Sequence, residues 1–325
     1  MNQKPIHLDL NENHLLADEY YERLLTLDLE LADYPSEYSE DICERLGKYY
    51  GLKSDQFLVA NGSDMVLDTI FKTLVPSDGV VGYFEPSYRY YTFLANRNER
   101  KVLEIPLESD FTLPATTSYI EDIDVLVICS PNNPTSLAMD KKHIESLLDK
   151  EVMVVVDEAY AEYSSENCLT LLSRYDNLII TRTFSKAWGL AGIRVGYAIS
   201  KARNIMLLRE DMMSYNVNVL SQAVAVSAID NQGFVEEALE RTIIEREYLT
   251  EELRYLDFNV LPSEANFLFC RPSHDIGSLE LYERLAEEGI LIKAFEEERL
   301  KDHVRITVGT REENEELLDC LEDIV

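Results

Sequence analysis

The sequence predicts an α/β protein with a large domain, built on a mostly parallel seven-stranded sheet, and a smaller α+β domain. Short apolar runs alternate with amphipathic stretches from about residue 40 to about residue 230, a pattern typical of a parallel sheet covered by helices. A helix-rich stretch and a second, shorter set of strands and helices follow. The length of 325 residues accommodates two such domains at roughly 150 residues each.

Seven apolar runs of four or five residues predict the strands of the large sheet. Their length separates them from helices, which usually need about ten residues or more. In chain order the predicted strands are Phe57–Ala60, Val80–Phe84, Val102–Ile105, Val125–Cys129, Val152–Val156, Leu178–Thr181 and Val195–Ile199.

Helix signals lie between and after these runs. Gly51 predicts the end of a helix over Asp41–Tyr50, because glycine tolerates the left-handed conformation that follows a last turn. Ser63 is the predicted N-cap of a helix that runs to Leu74. Residues 203–256 have apolar side chains at helical spacing and predict long amphipathic helices.

The elements near the carboxyl terminus predict the small domain. Strands are expected near residues 266–271, 290–293 and 304–308, and helices over residues 278–288 and 312–324. We therefore divide the chain into an N-terminal segment (1–35), a large domain (36–228) and a small domain (229–325). The N-terminal segment is too short for a core of its own, so we expect it to pack on the small domain or on a partner subunit.

The composition disfavours several partners and locations. Lys and Arg number 30 against 61 Asp and Glu, and the resulting net charge of −31 repels nucleic acid and anionic membranes. The longest aliphatic run, Val152–Val156, is far shorter than the roughly 20 apolar residues of a membrane helix. The start has no signal-peptide core and the five cysteines form no Cys-x-x-Cys pair, so we expect a cytoplasmic protein with reduced thiols.

Three common motifs are missing from the sequence. There is no Gly-x-Gly, which a dinucleotide site needs, and no Gly-Lys-Ser/Thr, which a P-loop needs. A nicotinamide oxidoreductase is therefore disfavoured, although the predicted sheet would suit one. The five histidines are scattered without a His-Glu-x-x-His pair, and no metal site is predicted.

Polar side chains follow three neighbouring strands of the predicted sheet. Open α/β sheets bind their ligands at the carboxyl ends of their strands, so we expect these side chains to form one site. They are Asn133 after the fourth strand, Asp157 and Tyr160 after the fifth, and Ser185, Lys186 and Arg194 after the sixth.

Pyridoxal phosphate is the cofactor whose ring chemistry uses this set of side chains. Lys186 would form a Schiff base with its aldehyde, and Asp157 would keep the ring nitrogen protonated so that the ring accepts electrons. Asn133 and Tyr160 would hydrogen-bond the phenolic oxygen of the ring. Once displaced by an amino substrate, Lys186 would serve as the base that moves the α-proton.

The phosphate of that cofactor has its own predicted cradle. Ser185 and Arg194 would hold it, Arg194 through a bidentate fork of its guanidinium group. The predicted helix that starts at Gly62, Ser63 and Asp64 would add backbone N–H groups, which favour anions.

With these residues in place, the sequence resembles the fold-type I pyridoxal-phosphate enzymes of the class I and II aminotransferases, and among them the histidinol-phosphate aminotransferases. The resemblance covers nearly the whole chain and rests on eight blocks in the same order. They are Leu10–Asn13, Tyr34–Pro35, Asn61–Asp64, Pro86–Tyr88, Ser130–Thr135, Asp157–Tyr160, Ser185–Lys186 with Arg194, and Val304–Thr310.

The resemblance implies further site residues and the substrates. Tyr88 would stack on the cofactor ring, Arg305 would bind the substrate α-carboxylate, and Tyr34 would reach the cofactor phosphate of the other subunit in a homodimer. Asn13 and Lys293 would also bind substrate. The implied substrates are a small amino donor, such as histidinol phosphate or an aromatic amino acid, and a 2-oxo acid such as 2-oxoglutarate.

Three features depart from the pattern of the resembled family. The chain starts almost at the Leu10–Asn13 block, so we expect no N-terminal arm over the substrate site. Lys293 stands where arginine is usual, which replaces a bidentate fork with a point charge. Ser136 stands where glycine is usual. The resemblance therefore implies the cofactor chemistry more directly than the amino donor.

Two other functions would use the same cofactor. A threonine-phosphate decarboxylase shares the scaffold and would release the substrate carboxylate instead of the α-proton, so this alternative stays open. A regulator that senses pyridoxal phosphate would need a DNA-binding domain, which the length and the net charge of −31 disfavour.

Overall fold

The computed structural model describes residues 4–27, 29–272 and 276–324. The helices and strands of these residues alternate along most of the chain. In order they are β1 (Ile6–His7), α1 (Asp18–Leu24), α2 (Glu40–Tyr50), β2 (Phe57–Ala60), α3 (Ser63–Leu74), β3 (Val80–Glu85), α4 (Tyr90–Arg97), β4 (Lys101–Pro106), β5 (Val125–Cys129), α5 (Lys141–Leu148), β6 (Met153–Asp157), β7 (Leu178–Thr183), β8 (Gly196–Ser200), α6 (Ala202–Asp211), α7 (Val219–Asp230), α8 (Gln232–Tyr255), β9 (Asn259–Val260), β10 (Phe267–Arg271), α9 (Ser278–Glu287), β11 (Ile290–Leu291), β12 (Lys293–Ala294), β13 (Val304–Thr307) and α10 (Arg311–Ile324).

The large sheet has seven strands in the order β2-β8-β7-β6-β5-β3-β4. The pairs among β4, β3, β5, β6 and β7 are parallel, whereas β8 runs antiparallel to both β7 and β2. This confirms the predicted α/β fold with a mostly parallel seven-stranded sheet. Strand β5 is apolar throughout because both faces of the sheet are covered, and all five of its residues are buried.

All seven predicted strands of the large sheet exist, with ends that differ by at most two residues. The strand β6 begins one residue later than predicted and includes Asp157, which pairs with Thr181 of β7. The strand β7 continues to Thr183, because its last residues pair with β8. The predicted N-cap role of Ser63 is wrong: Gly62 is the N-cap of α3 at φ 85°, and Ser63 is the first helical residue.

A four-stranded antiparallel sheet, in the order β12-β13-β10-β9, lies in the carboxyl-terminal part of the chain. Near the other end of the chain, β1 pairs in parallel with β11, and Leu8 is buried in the apolar cluster of this region. Within residues 203–256 the structure has three helices, of which α7 continues across residue 228. The domain boundaries at residues 35 and 228 stay predictions.

Two further features concern the surface and the thiols. Among the described residues, no helix combines the length and the apolar character needed to cross a membrane. All five cysteines are free, and four of them are buried: Cys43, Cys129, Cys168 and Cys270.

Candidate active site

The carboxyl ends of β5, β6 and β7 meet at one edge of the large sheet. Cys129 pairs with Asp157, and Asp157 pairs with Thr181, so the three strands end side by side. The loops that leave these ends carry Asn133 and Lys186. The topology therefore brings together residues that lie up to about fifty positions apart in the sequence.

Asp157 is a buried carboxylate at the last position of β6. Tyr91 of α4 donates a hydrogen bond of 2.6 Å to its Oδ2 atom, and Thr181 donates one of 3.0 Å to its Oδ1 atom. Burial raises the pKa of Asp157 to about 6, although both donors lower it. Near neutral pH the group is therefore mostly ionised and suits a cationic partner.

Lys186 lies half-buried just after β7, with its Nζ atom 5.7 Å from the centre of the Tyr160 ring. The Nζ atom donates a hydrogen bond of 2.9 Å to the carbonyl oxygen of Leu10. Burial lowers the pKa of Lys186 to about 8, and the nearby cations Arg305 and Arg194 lower it further. A fraction of this amine is thus uncharged near neutral pH and is available as a base or nucleophile.

Tyr160 is buried beside Lys186 and faces the N-terminal segment. Asn11 donates a hydrogen bond of 3.0 Å from its Nδ2 atom to the phenol oxygen of Tyr160. Burial raises the pKa of Tyr160 to about 12, so the phenol keeps its proton and can donate it in a further hydrogen bond.

The start of α3 faces the loop that follows β7, and together they form a polar surface. Arg194 has left-handed backbone geometry (φ 53°), and its Nη2 atom lies 3.4 Å from Oδ2 of Asp64. Its Nη1 atom lies 3.4 Å from the hydroxyl oxygen of Ser185. The first N–H groups of a helix have no partner within the helix, so this surface favours an anion.

Gly62 belongs to this surface, and a side chain there would be strained and would displace the Arg194 guanidinium. A Cβ atom at Gly62 would lie 2.7 Å from Nη2 of Arg194, and the φ of 85° disfavours an L-residue. We expect Gly62→Ala to lower cofactor affinity at least about tenfold in a titration, because the Arg194 guanidinium has to move. Gly51→Ala is the matched control: φ is 67°, yet its Cβ would meet nothing within 4 Å. Equal cofactor affinity in both variants would contradict a cradle at Gly62.

Arg305 of β13 is a buried cation next to Asn133. Its Nη1 atom donates a hydrogen bond of 2.7 Å to Oδ1 of Asn133, and its Nη2 atom donates to the carbonyl oxygen of Asp9. The Nε atom of Arg305 is buried and has no partner among the described residues. A buried guanidinium with an unused donor suits a small anionic ligand.

A cavity of about 850 Å³ opens beside Arg305. Apolar and charged groups share its wall, and residues that line it include Asp9, Tyr88, Tyr90, Asn133, Tyr282, Lys293 and Phe295. Across it, Arg89 forms an ion pair with Glu297, and Arg299 donates to the carbonyl oxygen of Glu85 at 3.0 Å. These contacts hold the segment before β13 against the large sheet.

Four other predicted site residues take different positions. Tyr88 is half-buried, and its hydroxyl donates to Oδ1 of Asp64 at 3.2 Å. Asn13 lies near Lys186 but uses its amide group on the backbone, donating to the carbonyl oxygen of Ala187 at 2.9 Å. Lys293 is exposed at the cavity wall. Tyr34 is 84% exposed and contacts the ring of Tyr215 rather than any residue of this site.

Sequence reasoning missed the partners that hold these side chains. Tyr91 and Thr181 bind Asp157, and Asn11 binds Tyr160. Thr181 could have been found, because it precedes a polar loop in a strand next to Asp157. Tyr91 could not, because it is one of 19 tyrosines and lies in a helix with no distinct sequence signal.

The site fits pyridoxal phosphate in charge and in hydrogen-bonding capacity. The buried carboxylate of Asp157 suits a protonated ring nitrogen, and the surface at Gly62, Ser185 and Arg194 suits a phosphate. Lys186, with its lowered pKa, directly follows Ser185 in sequence and lies close to Tyr160. The fold and site thus define a pyridoxal-phosphate enzyme.

Comparison with known proteins identifies the family. The model of the family "Aminotransferase class I and II" matches residues 11–321. A histidinol-phosphate aminotransferase of Acinetobacter baumannii (strain AYE) is 36% identical over 294 residues, which are 89% of this chain and 81% of that protein. One from Syntrophotalea carbinolica is 36% identical over 295 residues, 90% of this chain and 84% of that protein. The chain belongs to the class I and II aminotransferases, and it is a pyridoxal-phosphate-dependent aminotransferase.

Solved structures share the fold at low sequence identity. Histidinol-phosphate aminotransferase from Sinorhizobium meliloti, in complex with pyridoxal-5′-phosphate, has a TM-score of 0.90 at 19% identity and covers 99% of this chain and 92% of its own. L-threonine-O-3-phosphate decarboxylase from Porphyromonas gingivalis has a TM-score of 0.81 at 20% identity, covering 99% and 98%. These likenesses concern the fold alone.

Proposed function

We propose that this aminotransferase takes its amino group from histidinol phosphate or an aromatic amino acid and passes it to a 2-oxo acid such as 2-oxoglutarate. The observation that carries the proposal is the cavity at Arg305 and Lys293, which combines cations with aromatic walls. The curated relatives that are 36% identical act on histidinol phosphate by name, which supports the same donor here.

Arg305 and Lys293 are the proposed binding groups for the anionic end of the donor. They are cross-strand partners in β13 and β12, so their side chains leave the sheet on the same face. Arg305 is buried and offers a planar fork, whereas Lys293 is exposed and offers a single charge. The guanidinium of Arg305 is enough to bind a carboxylate, whereas a phosphate dianion benefits from both Arg305 and Lys293.

The rings of Tyr90, Tyr282 and Phe295 line the same cavity. An imidazole or benzene ring buries apolar surface against such walls, and each buried ring typically stabilises binding by about 1–3 kcal/mol. The wall therefore supports a donor with a flat aromatic side chain, of which histidinol phosphate and aromatic amino acids are both examples.

The chain's own groups hold the cofactor and move protons. Asp157 is proposed to pair with the ring nitrogen, Tyr160 and Asn133 to bond the ring oxygen, and Ser185 and Arg194 to hold the phosphate. Pyridoxal phosphate, when bound, supplies an aldehyde and an electron-accepting ring. The other proposed cofactor contacts are Gly62, Ser63, Asp64, Tyr88 and, across a subunit boundary, Tyr34.

Lys186 is the proposed base. Its pKa of about 8 means that its amine can accept a proton from the substrate α-carbon near neutral pH and give it up again. The hydrogen bond from Nζ to the carbonyl oxygen of Leu10 holds the amine beside Tyr160.

The decarboxylase alternative has weaker support. The decarboxylase of similar fold is 20% identical to this chain, whereas the curated aminotransferases are 36% identical. Release of carbon dioxide from phosphothreonine, with no amino transfer from any donor, would favour the decarboxylase.

A panel of amino donors tests the proposed substrate. We expect activity with histidinol phosphate and also with phenylalanine or tyrosine, and Lys293→Gln should raise KM for histidinol phosphate about three- to tenfold. KM for phenylalanine should change less than about twofold, because its carboxylate needs only Arg305. Added salt should reduce the effect of the substitution, since an exposed charge is screened.

The control for that panel is Lys301→Gln. Lys301 is also an exposed lysine before β13, but it pairs with Glu298 at 2.8 Å and does not line the cavity. An equal rise of KM for both donors in Lys293→Gln, or a strict preference for histidinol phosphate over every aromatic donor, would contradict the proposal.

We further propose that the enzyme is a cytoplasmic homodimer. The rings of Tyr34 and Tyr215 lie 5.0 Å apart on a surface where Leu31 and Met213 are also exposed. An exposed apolar patch of this kind is typical of a protein interface. The patch and the resemblance together support a subunit contact through Tyr34.

Light scattering tests the dimer, and we expect the mass of two chains. Tyr34→Ala should weaken cofactor binding, because the partner's phosphate contact is lost. Tyr255→Ala is the control, since Tyr255 is 82% exposed at the end of α8 and belongs to no proposed contact. A monomer with full activity would rule out the shared site.

A further inference from the structure

Tyr91 is a fully buried side chain that the mechanism above does not use. It lies in α4, and its hydroxyl donates to Oδ2 of Asp157 at 2.6 Å. Thr181, from β7, donates to the other oxygen at 3.0 Å. Because each carboxylate oxygen has a donor from a different element, the Asp157 side chain is held in one rotamer.

The phenol of Tyr91 is in its donor form. Burial and the charge of Asp157 hold the pKa of Tyr91 well above its ordinary value, so the hydroxyl keeps its proton. A donor–acceptor distance of 2.6 Å is typical of a hydrogen bond to an ionised oxygen, which is stronger than one between neutral groups. A buried hydroxyl without an acceptor is costly, and this contact removes that cost.

This hydrogen bond opposes the effect of burial on Asp157. Burial raises the pKa of Asp157 and the Asp64 carboxylate raises it further, whereas Tyr91, Thr181 and the backbone N–H of Ala159 lower it. Burial raises the pKa of each of the other titratable side chains that feel the Asp157 charge, and these stay neutral near pH 7: Tyr88, Tyr160 and Cys129.

Tyr91 also supports the neighbouring ring. The centre of its ring lies 5.5 Å from that of Tyr88, with an angle of 84° between the ring planes, so the two rings meet edge-on. The centre of its ring also lies 5.5 Å from that of Tyr83 in strand β3. Tyr91 is thus fixed by packing as well as by its hydrogen bond, and a rigid donor holds its acceptor in place.

We propose that Tyr91 is a positioning residue, which keeps the Asp157 carboxylate ionised and oriented toward the cofactor's ring nitrogen and acts only through Asp157. The proposal rests on the role of Asp157 given above. It adds a residue from α4 to the site at the strand ends.

Tyr91→Phe tests the proposal, because it removes the hydroxyl and keeps the ring. In the holoenzyme we expect kcat to fall about tenfold to a hundredfold, the range for a hydrogen bond to a charged group, with KM for the amino donor close to that of the wild type. In titrations of the cofactor-free protein with pyridoxal phosphate, affinity falls as the pH is lowered. The pH at the midpoint of this fall should be higher in the variant than in the wild type. Removing a donor to the charged form raises the pKa of the carboxylate.

Tyr197→Phe is the matched control. Tyr197 is also fully buried, and its hydroxyl lies 2.7 Å from that of Tyr50, away from Asp157. Both variants should lose similar thermal stability as cofactor-free proteins, but only Tyr91→Phe should change the pH midpoint. An unchanged midpoint and kcat in Tyr91→Phe would overturn the proposal.

A double-mutant cycle separates this inference from the role of Asp157 itself. In an Asp157→Asn background, Tyr91→Phe should reduce kcat by less than about threefold, because the charge that it serves is gone. Full additivity would overturn the proposal. If Asp157→Asn alone left kcat unchanged, the proposed role of Asp157 would be wrong. If Asp157→Asn lowered kcat strongly and Tyr91→Phe did not, only the proposed role of Tyr91 would be wrong.

Discussion

Replacement of Lys186 by alanine is expected to lower the rate of amino transfer by at least about 10²–10⁴-fold, the usual contribution of a positioned acid–base group. The variant should still bind pyridoxal phosphate through the groups proposed for the ring and the phosphate. Treatment with sodium borohydride should no longer fix the cofactor covalently to the protein, which mass spectrometry would measure. The reason is that Lys186 is the half-buried amine beside Tyr160, with a pKa of about 8.

Lys201→Ala is the control for this experiment. Lys201 follows strand β8 as Lys186 follows β7, but its Nζ atom donates to the carbonyl oxygen of Ser173 at 3.2 Å and pairs with Asp176 at 3.8 Å, away from the site. Its replacement should leave both the rate and covalent fixation unchanged. Covalent labelling that persists in Lys186→Ala would reject Lys186 as the attachment site.

Asp157→Asn is expected to retain the cofactor but to lower kcat about a hundredfold or more, since removal of one charge from a buried pair typically costs about 2–5 kcal/mol. A neutral amide keeps the shape of the carboxylate but cannot stabilise a protonated ring nitrogen. Absorbance spectra would show the bound cofactor, and steady-state kinetics would show the loss.

The pKa of Asp157 adds a second readout. With a pKa raised to about 6, the carboxylate is protonated below that pH and loses its attraction for a cationic ring, so cofactor affinity of the wild type should fall as the pH drops through 6. In Asp157→Asn this part of the pH dependence should disappear.

Asp140→Asn is the matched control for the change of a carboxylate to an amide. Asp140 caps α5 by accepting hydrogen bonds from the N–H groups of Lys142 and His143, and asparagine caps a helix equally well. Its kinetics and pH dependence should match the wild type. Normal turnover in Asp157→Asn would remove Asp157 from the proposed mechanism.

The site concentrates positive charge in a strongly acidic protein. The net charge is −31, yet Lys186, Arg194 and Arg305 lie close enough that the arginines lower the pKa of the lysine. Local cations of this kind attract anionic substrates despite the repulsion of the whole surface, and the attraction weakens with salt. Burial lowers the pKa of Lys186 most, and the two arginines of this cluster lower it further.

The positions of the strands along the chain and of the site at their ends were accessible from the sequence, because both depend on local patterns. Apolar runs such as those of β5 and β6 are long enough for a strand and too short for a helix. The polar residues that follow them, Asn133 and Asp157, must then lie at one edge of a parallel sheet. Family resemblance added Arg305, whose strand belongs to a different sheet.

Errors arose where geometry rather than pattern decides. Ser63 has a typical capping side chain, yet Gly62 takes the N-cap position, where the φ of 85° favours glycine and leaves room for the Arg194 guanidinium. Asn13 stays a predicted substrate contact, but only the structure shows that its amide group also anchors the N-terminal segment to Ala187. Such choices depend on contacts between segments far apart in the chain.

The sequence by itself determined the α/β class, the strands that carry the chemistry, the cofactor and the family, since periodicity and short motifs are local properties of a chain. Only the tertiary structure decided how those side chains are held: Tyr91 and Thr181 on Asp157, and the carbonyl oxygen of Leu10 on Lys186. It also decided their proton affinities, because burial and neighbouring charges arise only when distant segments pack together.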